Sequence, residues 1–167
     1  KPPGCGKIFL GNINWLKLSD EMRCVLNRHK VGIASTKYPL IDEMTIEENI
    51  IISGLLDGMV SDPLVIAQMF HIEHLRKRNP SDITYTEQLR CICARAFYNN
   101  KDIVVIDDIY YRLKEKTDFS LMLYNAAKKL NTAVICISEE LDDSYFIYDI
   151  LHKYLPEEKR FLILDYR

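Results

Sequence analysis

Two pairs of adjacent acids stand out as residues that could do chemistry. Asp107-Asp108 follows the β-branched run Ile103-Val104-Val105-Ile106, and Glu139-Glu140 follows Thr132 to Ser138, a second apolar run. Carboxylates at the ends of buried strands are the type of group that holds a divalent cation or takes a proton from water, provided they reach it. Four of them facing one crevice would make a magnesium-type site. Upstream, Thr84-Tyr85-Thr86 stands at the head of a stretch running through Gln88, Arg90 and Ala94-Arg95-Ala96 to Phe97. Leu89, Ile92, Cys93 and Ala96 recur there at helical spacing, so the hydroxyls open a helix.

The elements that must position these residues alternate between strand and helix. Lys7 to Leu10 and Val31 to Ala34 read as short strands, with Asp20 to Leu26 helical between them. Thr45-x-x-Glu48 is a capping box ahead of the apolar run Ile50 to Leu56, which starts a helix. Ser61 with Pro63 opens another, predicted to run to Arg78 before the Asn79-Pro80 break. Ile103 to Asp107 has the continuous apolar character of a fully buried parallel strand. Thr117 to Leu130 is an amphipathic helix and Thr132 to Ser138 a second buried strand, together a right-handed crossover unit. Asp142 to Tyr154 is predicted helical and Phe161 to Asp165 a last strand. The expected architecture is an α/β domain with an inserted helical bundle, its ligand site at the carboxyl ends of the parallel strands.

Composition bounds the function. The chain has 167 residues, 48% of them hydrophobic and 28% charged, enough for one domain with a real core and too apolar for disorder. Net charge is −2, and the densest basic run, His74 to Arg78, is short, which points away from nucleic acid. The apolar runs fall well below the ~20 residues of a membrane span, so a membrane role would go through a partner. The five cysteines are an odd number and read as reduced cytosolic thiols, three of them inside apolar helix or strand patterns.

Several spaced segments resemble the nucleotide-binding domains of ABC transporters, most closely the branch serving lipoprotein release, macrolide export and cell-division complexes. They are Gly6 to Ile13, Leu16 to Arg23, Val31-Gly32, Leu40 through Thr45-Ile46-Glu47-Glu48-Asn49-Ile50, the signature-type helix ending in Ala94-Arg95-Ala96, the strand bearing Asp107, and the strand before Glu139. The likeness covers essentially the whole chain. It implies an α/β P-loop NTPase (ABC ATPase-like) core sheet in 1–36 and 98–167, an inserted helical and signature subdomain in 37–97, and a missing N-terminal part.

The resemblance also assigns positions, and there the sequence departs from the family. The glutamine that would sense the γ-phosphate and metal is Thr36. The signature Ser and two Gly residues fall at Thr84, Tyr85 and Thr86, so two side chains stand where phosphates need bare backbone; Gln88 continues that motif. Asp107 matches the acid supporting magnesium, while the catalytic glutamate is Asp108, one methylene shorter. Leu113 is retained, but the aspartate after it is Lys114, and the switch histidine is Glu139, which adds negative charge beside a γ-phosphate. Lys1-Pro2-Pro3-Gly4-Cys5-Gly6-Lys7-Ile8 imitates a phosphate-binding loop, but no strand precedes it and Ile8 cannot ligand magnesium. The phosphate loop is expected upstream, and without its strand the sheet would expose an apolar edge.

Simpler roles compete at other sites. His71-x-x-His74 on one helix face has ligand-like spacing without a third ligand; Cys91-x-Cys93 in a helix suits core packing; Tyr110-Tyr111, Tyr145, Tyr148 and Tyr154 suit amphipathic packing. Asp107-Asp108 alone could be a strand-end cap.

The expected function is that of an ATP-binding-subunit-like domain of an ABC transporter, degenerate, with a structural or regulatory role in membrane transport. ATP and Mg2+ are the cofactors the resemblance implies. The partners it implies are a membrane-embedded permease subunit, met near Lys37 to Glu48, and a second nucleotide-binding domain in a homo- or heterodimer; nucleic acid and direct membrane insertion are not expected. The location would be cytoplasmic, peripheral to the inner or plasma membrane. Two alternatives stand beside it: an active ABC ATPase with its phosphate loop upstream, and a magnesium-dependent hydrolase using Asp107, Asp108 and Glu139.

Overall fold

A computed structural model of the chain describes residues 6–109, 113, 115–137, and the strand backbones of 150–155 and 160–165. The amino-terminal strand is shorter than its sequence suggests: Phe9–Leu10 (β1) pairs antiparallel with Ile13–Asn14 (β2), forming a tight hairpin. Gly11 sits in that turn at φ 57°, in the left-handed region that glycine enters without a Cβ clash. Asp20–Lys30 (α1) follows, capped by the Ser19 hydroxyl on the Met22 N–H. Its acids lie in the first turn and its bases in the last, which matches the helix dipole at both ends.

Val31–Ser35 (β3) leads into the helical segment. Ile46–Asp57 (α2) starts at the predicted capping box, the Glu48 N–H donating to Thr45 Oγ1 at 3.3 Å and the Thr45 N–H to Glu48 Oε2 at 2.8 Å. Just inside, the fully buried Asn49 side chain accepts from the Ile41 N–H at 2.7 Å and donates to the carbonyls of Ile41, Met44 and Thr45. One amide thereby satisfies the backbone of the loop that enters the helix.

The helix expected from Ser61 to Arg78 is interrupted. Leu64–Met69 (α3) is followed by His71 at φ 56° and a separate 3-10 turn at Glu73–Leu75. A left-handed residue reverses the helical path, so His71 and His74 do not share one helix face. Tyr85–Phe97 (α4) then forms as predicted.

Ile103–Asp107 (β4), Lys116–Leu130 (α5) and Ala133–Ile137 (β5) form the expected strand–helix–strand unit. The sheet order is β3-β4-β5, all parallel, with β4 in the middle. The register aligns Ser35 with Asp107 and Asp107 with Ile137, so these three residues end the strands side by side.

The carboxyl-terminal helix expected over Asp142 to Tyr154 is not what forms at its end. Ile150–Leu155 (β6) pairs antiparallel with Arg160–Asp165 (β7). Pro156 directly after β6 disfavours a helical conformation at Leu155, and the ladder to a partner strand satisfies the backbone instead. Residues 142–149 lie outside the described part.

One face of the parallel sheet packs inward. Ala34, Val104 and Ile106 are fully buried, as are Leu89, Cys93 and Phe97 of α4, and Phe70 meets Phe97 ring to ring at 5.3 Å. Each Val, Ile, Leu or Phe among them contributes about 1.5–3 kcal/mol by burial. Contact is closest at Gly32, where a Cβ would collide with the carbonyl oxygen of Ala96. The opposite face is open: Ile33, Ile135 and Ile137 are 48%, 51% and 51% exposed, and Ile33, Val105 and Ile135 stand in one row of the register.

Candidate functional site

The carboxyl ends of β3 and β4 bring three of the sequence-predicted site residues together. Thr36, directly after β3, donates its hydroxyl to Asp108 Oδ2 at 3.1 Å. Lys37, next in the chain, places Nζ 3.2 Å from Asp107 Oδ2. The turn that carries them is fixed by its own backbone: the Lys37 N–H donates to Ser35 Oγ at 3.3 Å and the Tyr38 N–H to the Ser35 carbonyl at 3.0 Å. Arg95 of α4 holds the next two residues, donating to the carbonyls of Tyr38 and of Pro39. Burial lowers the guanidinium's pKa from its ordinary value.

Asp107 and Asp108 diverge although they are adjacent. Asp107 ends β4 in extended conformation, while Asp108 turns into the left-handed region at φ 66°. Asp is among the few residues besides glycine that tolerate that region. The hydrogen bond and charge of Asp107, then the more distant charge of Asp108, raise the pKa of the Lys37 ammonium. Lys37 therefore feels both carboxylates.

At the head of α4 the signature-type residues are also engaged within the chain. The Thr84 hydroxyl and the Thr84 N–H both donate to Glu87 Oε2 at 2.7 Å, and the Glu87 N–H returns to Thr84 Oγ1 at 3.4 Å. These bonds, side chain first, hold the Glu87 carboxyl below its usual pKa. A carboxylate thus sits on the positive end of the helix. Tyr85 occupies the first helical position and is 47% exposed, and Thr86 follows it in the same turn. The Gln88 amide donates to the Pro80 carbonyl at 2.8 Å, tying the preceding 3-10 turn to α4.

These donors do not by themselves suit the cofactors that the sequence suggests. Magnesium wants several oxygen ligands at near-octahedral geometry, but an Asp107 oxygen already faces an ammonium and an Asp108 oxygen a threonine hydroxyl. Among the described residues no group of three or more His, Cys, Asp or Glu side chains could hold a metal. A triphosphate approaching the head of α4 would meet the Glu87 carboxylate and the Tyr85 ring.

Glu139, Glu140 and Lys114 lie outside the described residues, as do Tyr110, Tyr111, Tyr145 and Tyr148. His71 and His74 form no metal cluster. Cys91 and Cys93 are buried, with burial pushing the Cys91 thiol up to about 12, so both act as packing groups.

Two residues were missed by reasoning from sequence. Lys37 gave no signal, since its partner is 70 positions away. Glu87 did give one, because Thr84-x-x-Glu87 has the spacing of a capping box.

No family model matches the sequence. Among curated proteins, the chain is 31% identical over 147 residues to the lipoprotein-releasing system ATP-binding protein LolD of Legionella pneumophila (strain Lens), an alignment covering 83% of this chain and 64% of that protein. It is 28% identical over 142 residues to the protein of the same name from Xanthomonas axonopodis pv. citri (strain 306), covering 80% and 58%. The chain therefore spans less than two thirds of the length of these relatives. A solved structure of the ATP-binding cassette MJ0796, a dimeric post-hydrolysis state bound to ADP and Pi, superposes with a TM-score of 0.80 at 20% identity, over 99% of this chain and 75% of that one. No described helix is long and apolar enough to cross a membrane. The chain is thus similar in sequence to LolD-type ATP-binding proteins over most of its own length, and it has the fold of the ATP-binding cassette MJ0796.

Proposed function

We propose that this domain serves an ABC transport complex in a structural or regulatory role and does not drive it by efficient ATP hydrolysis. The observation that carries this reading is the closure of the α4 head: Thr84 spends its hydroxyl and its N–H on Glu87, at 2.7 Å each. A helix start filled by the chain's own carboxylate has little left to offer a phosphate. Thr36 and Asp108, tied to one another, are the supporting observation. In this role the core of 1–36 and 98–167 acts as scaffold, and the helical segment 37–97 presents a docking surface.

The partners that fit are a membrane-embedded permease subunit, approached through Lys37 to Glu48, and a second nucleotide-binding domain, identical or hydrolysis-competent. The domain would then work on the cytoplasmic side, peripheral to the inner or plasma membrane. ATP and Mg2+ would be handled chiefly by the competent partner.

ATP turnover by the purified full-length protein, measured as phosphate release beside Asp107→Asn, tests the proposal. Background release in both is expected. Vigorous turnover that disappears in the variant would overturn it.

A further inference from the structure

The β3 exit holds a charge arrangement that the degenerate-cassette reading does not by itself explain. Lys37 Nζ lies 3.2 Å from Asp107 Oδ2, and its position is prepared by backbone geometry. Ser35, 1% exposed and aligned with Asp107, accepts the Lys37 N–H through its side chain and the Tyr38 N–H through its carbonyl. Arg95 clamps the two residues that follow. The lysine therefore leaves a held turn directly opposite the acid.

An ion pair with side-chain exposures of 70% and 33% adds little to stability. Its effect is on local charge. Asp107 and Asp108 without a counterion would make a doubly negative strand end that attracts a divalent cation. With the ammonium in place the group carries a single net negative charge, and a cation approaching Asp107 Oδ2 would meet like charge within about one ionic diameter. Thr36 meanwhile engages Asp108 Oδ2 at 3.1 Å, so both carboxylates have a partner supplied by the same two-residue segment.

We propose that Lys37 supplies, from within the chain, the positive charge that a divalent cation would otherwise bring to Asp107, so that this strand end takes no magnesium of its own. The inference rests on Asp107 standing at the metal-supporting position of an ABC-type cassette, and it adds a residue that replaces the metal's charge.

The test uses manganese(II) alone as the probe, titrated into the full-length protein and followed by water-proton relaxation enhancement. Wild type should show no manganese binding that Asp107→Asn removes. Lys37→Met should gain a site, with an affinity about tenfold or more above wild type, and Lys37→Met/Asp107→Asn should lose it. Lys37→Arg, which keeps the charge, should behave as wild type. Because the Lys37 side chain is largely exposed, the variants should fold, and circular dichroism of each checks this.

A wild-type manganese site that depends on Asp107 would overturn the proposal, as would a Lys37→Met protein that binds no better than wild type. Neither outcome bears on phosphate release. A wild-type metal site without ATP turnover would defeat the lysine's role and leave the proposed function standing, and turnover without such a site would do the reverse.

Discussion

The Thr36 hydroxyl donates to Asp108 Oδ2 at 3.1 Å, joining the exits of two parallel strands that lie 72 residues apart in sequence. The bond fixes a carboxylate whose backbone is already in the left-handed region at φ 66°. The conformation, more than the charge, should set what this position tolerates. Asp108→Asn should be nearly neutral in urea unfolding, since asparagine enters the same region readily. Asp108→Val should lose about 1–2 kcal/mol, because a β-branched side chain is strained there. Equal stability of the two variants would show that the left-handed backbone is not maintained.

The Thr84–Glu87 box predicts both a stability loss and a pH dependence. Thr84→Val removes the oxygen that caps α4 and should cost about 1 kcal/mol in chemical denaturation. Bonds to Thr84 lower the Glu87 pKa in the folded state, and bonds to Thr45 do the same for Glu48. A carboxyl with a depressed folded value stabilises the fold above its unfolded pKa. That contribution fades as pH falls through the folded value. Stability should therefore decline from about pH 4.5 downward, and Glu48→Gln/Glu87→Gln should flatten that decline. An unchanged acid limb in the double variant would refute the assignment.

Gly32 is needed for closeness. Its Cα faces the Ala96 carbonyl so directly that an added Cβ would collide with backbone on one side and approach Val104 at 3.1 Å on the other. Neither strand nor helix can yield without disturbing the buried face of the sheet. Gly32→Ala should destabilise by roughly 1–3 kcal/mol, the usual cost of overpacking, visible as a lower thermal midpoint. A midpoint equal to or above that of wild type would mean that β3 and α4 separate easily.

Thiol reactivity should divide the cysteines by burial. Burial raises the Cys91 thiol to about 12 and lifts that of Cys93 well above its ordinary value, so neither supplies thiolate near pH 8. Cys24 and Cys136 are exposed. Ellman's reagent should label Cys24 and Cys136 in the native protein, and Cys91 and Cys93 only after unfolding, with peptide mass mapping to assign the sites. Prompt labelling of Cys93 would show that α4 leaves the sheet on the timescale of the assay.

The sheet and most helix starts were legible because their signals are local. Ile103 to Ile106 is apolar at every position and forms the middle strand of the parallel sheet, although only Val104 and Ile106 are buried and the expected burial on both faces is not found. Thr45 and Thr84 mark their helices through hydroxyl and carboxylate spacing. The failures came where distant pairing or one backbone angle decided. Ile150 to Tyr154 has an apolar content that suits either state, and the strand from Arg160 to Asp165 settles it. A helix from Ser61 to Arg78 looks plausible until His71 takes φ 56°. At the site, Asp107, Asp108, Thr36 and Thr84 could be named from order along the chain, whereas the Lys37–Asp107 pair exists only once β3 and β4 lie side by side.

The open row of Ile33, Val105 and Ile135 governs how the isolated chain should behave in solution. A net charge of −2 gives weak colloidal repulsion, and such a face invites sticking. Losses should rise with the square of concentration, worsen in sulfate salts and ease when Ile135 is replaced by threonine. Light scattering during a concentration series would register this as turbidity that grows without any change in far-ultraviolet dichroism. The same row fitted against a complementary surface would become interior, so folding and assembly would share one hydrophobic layer.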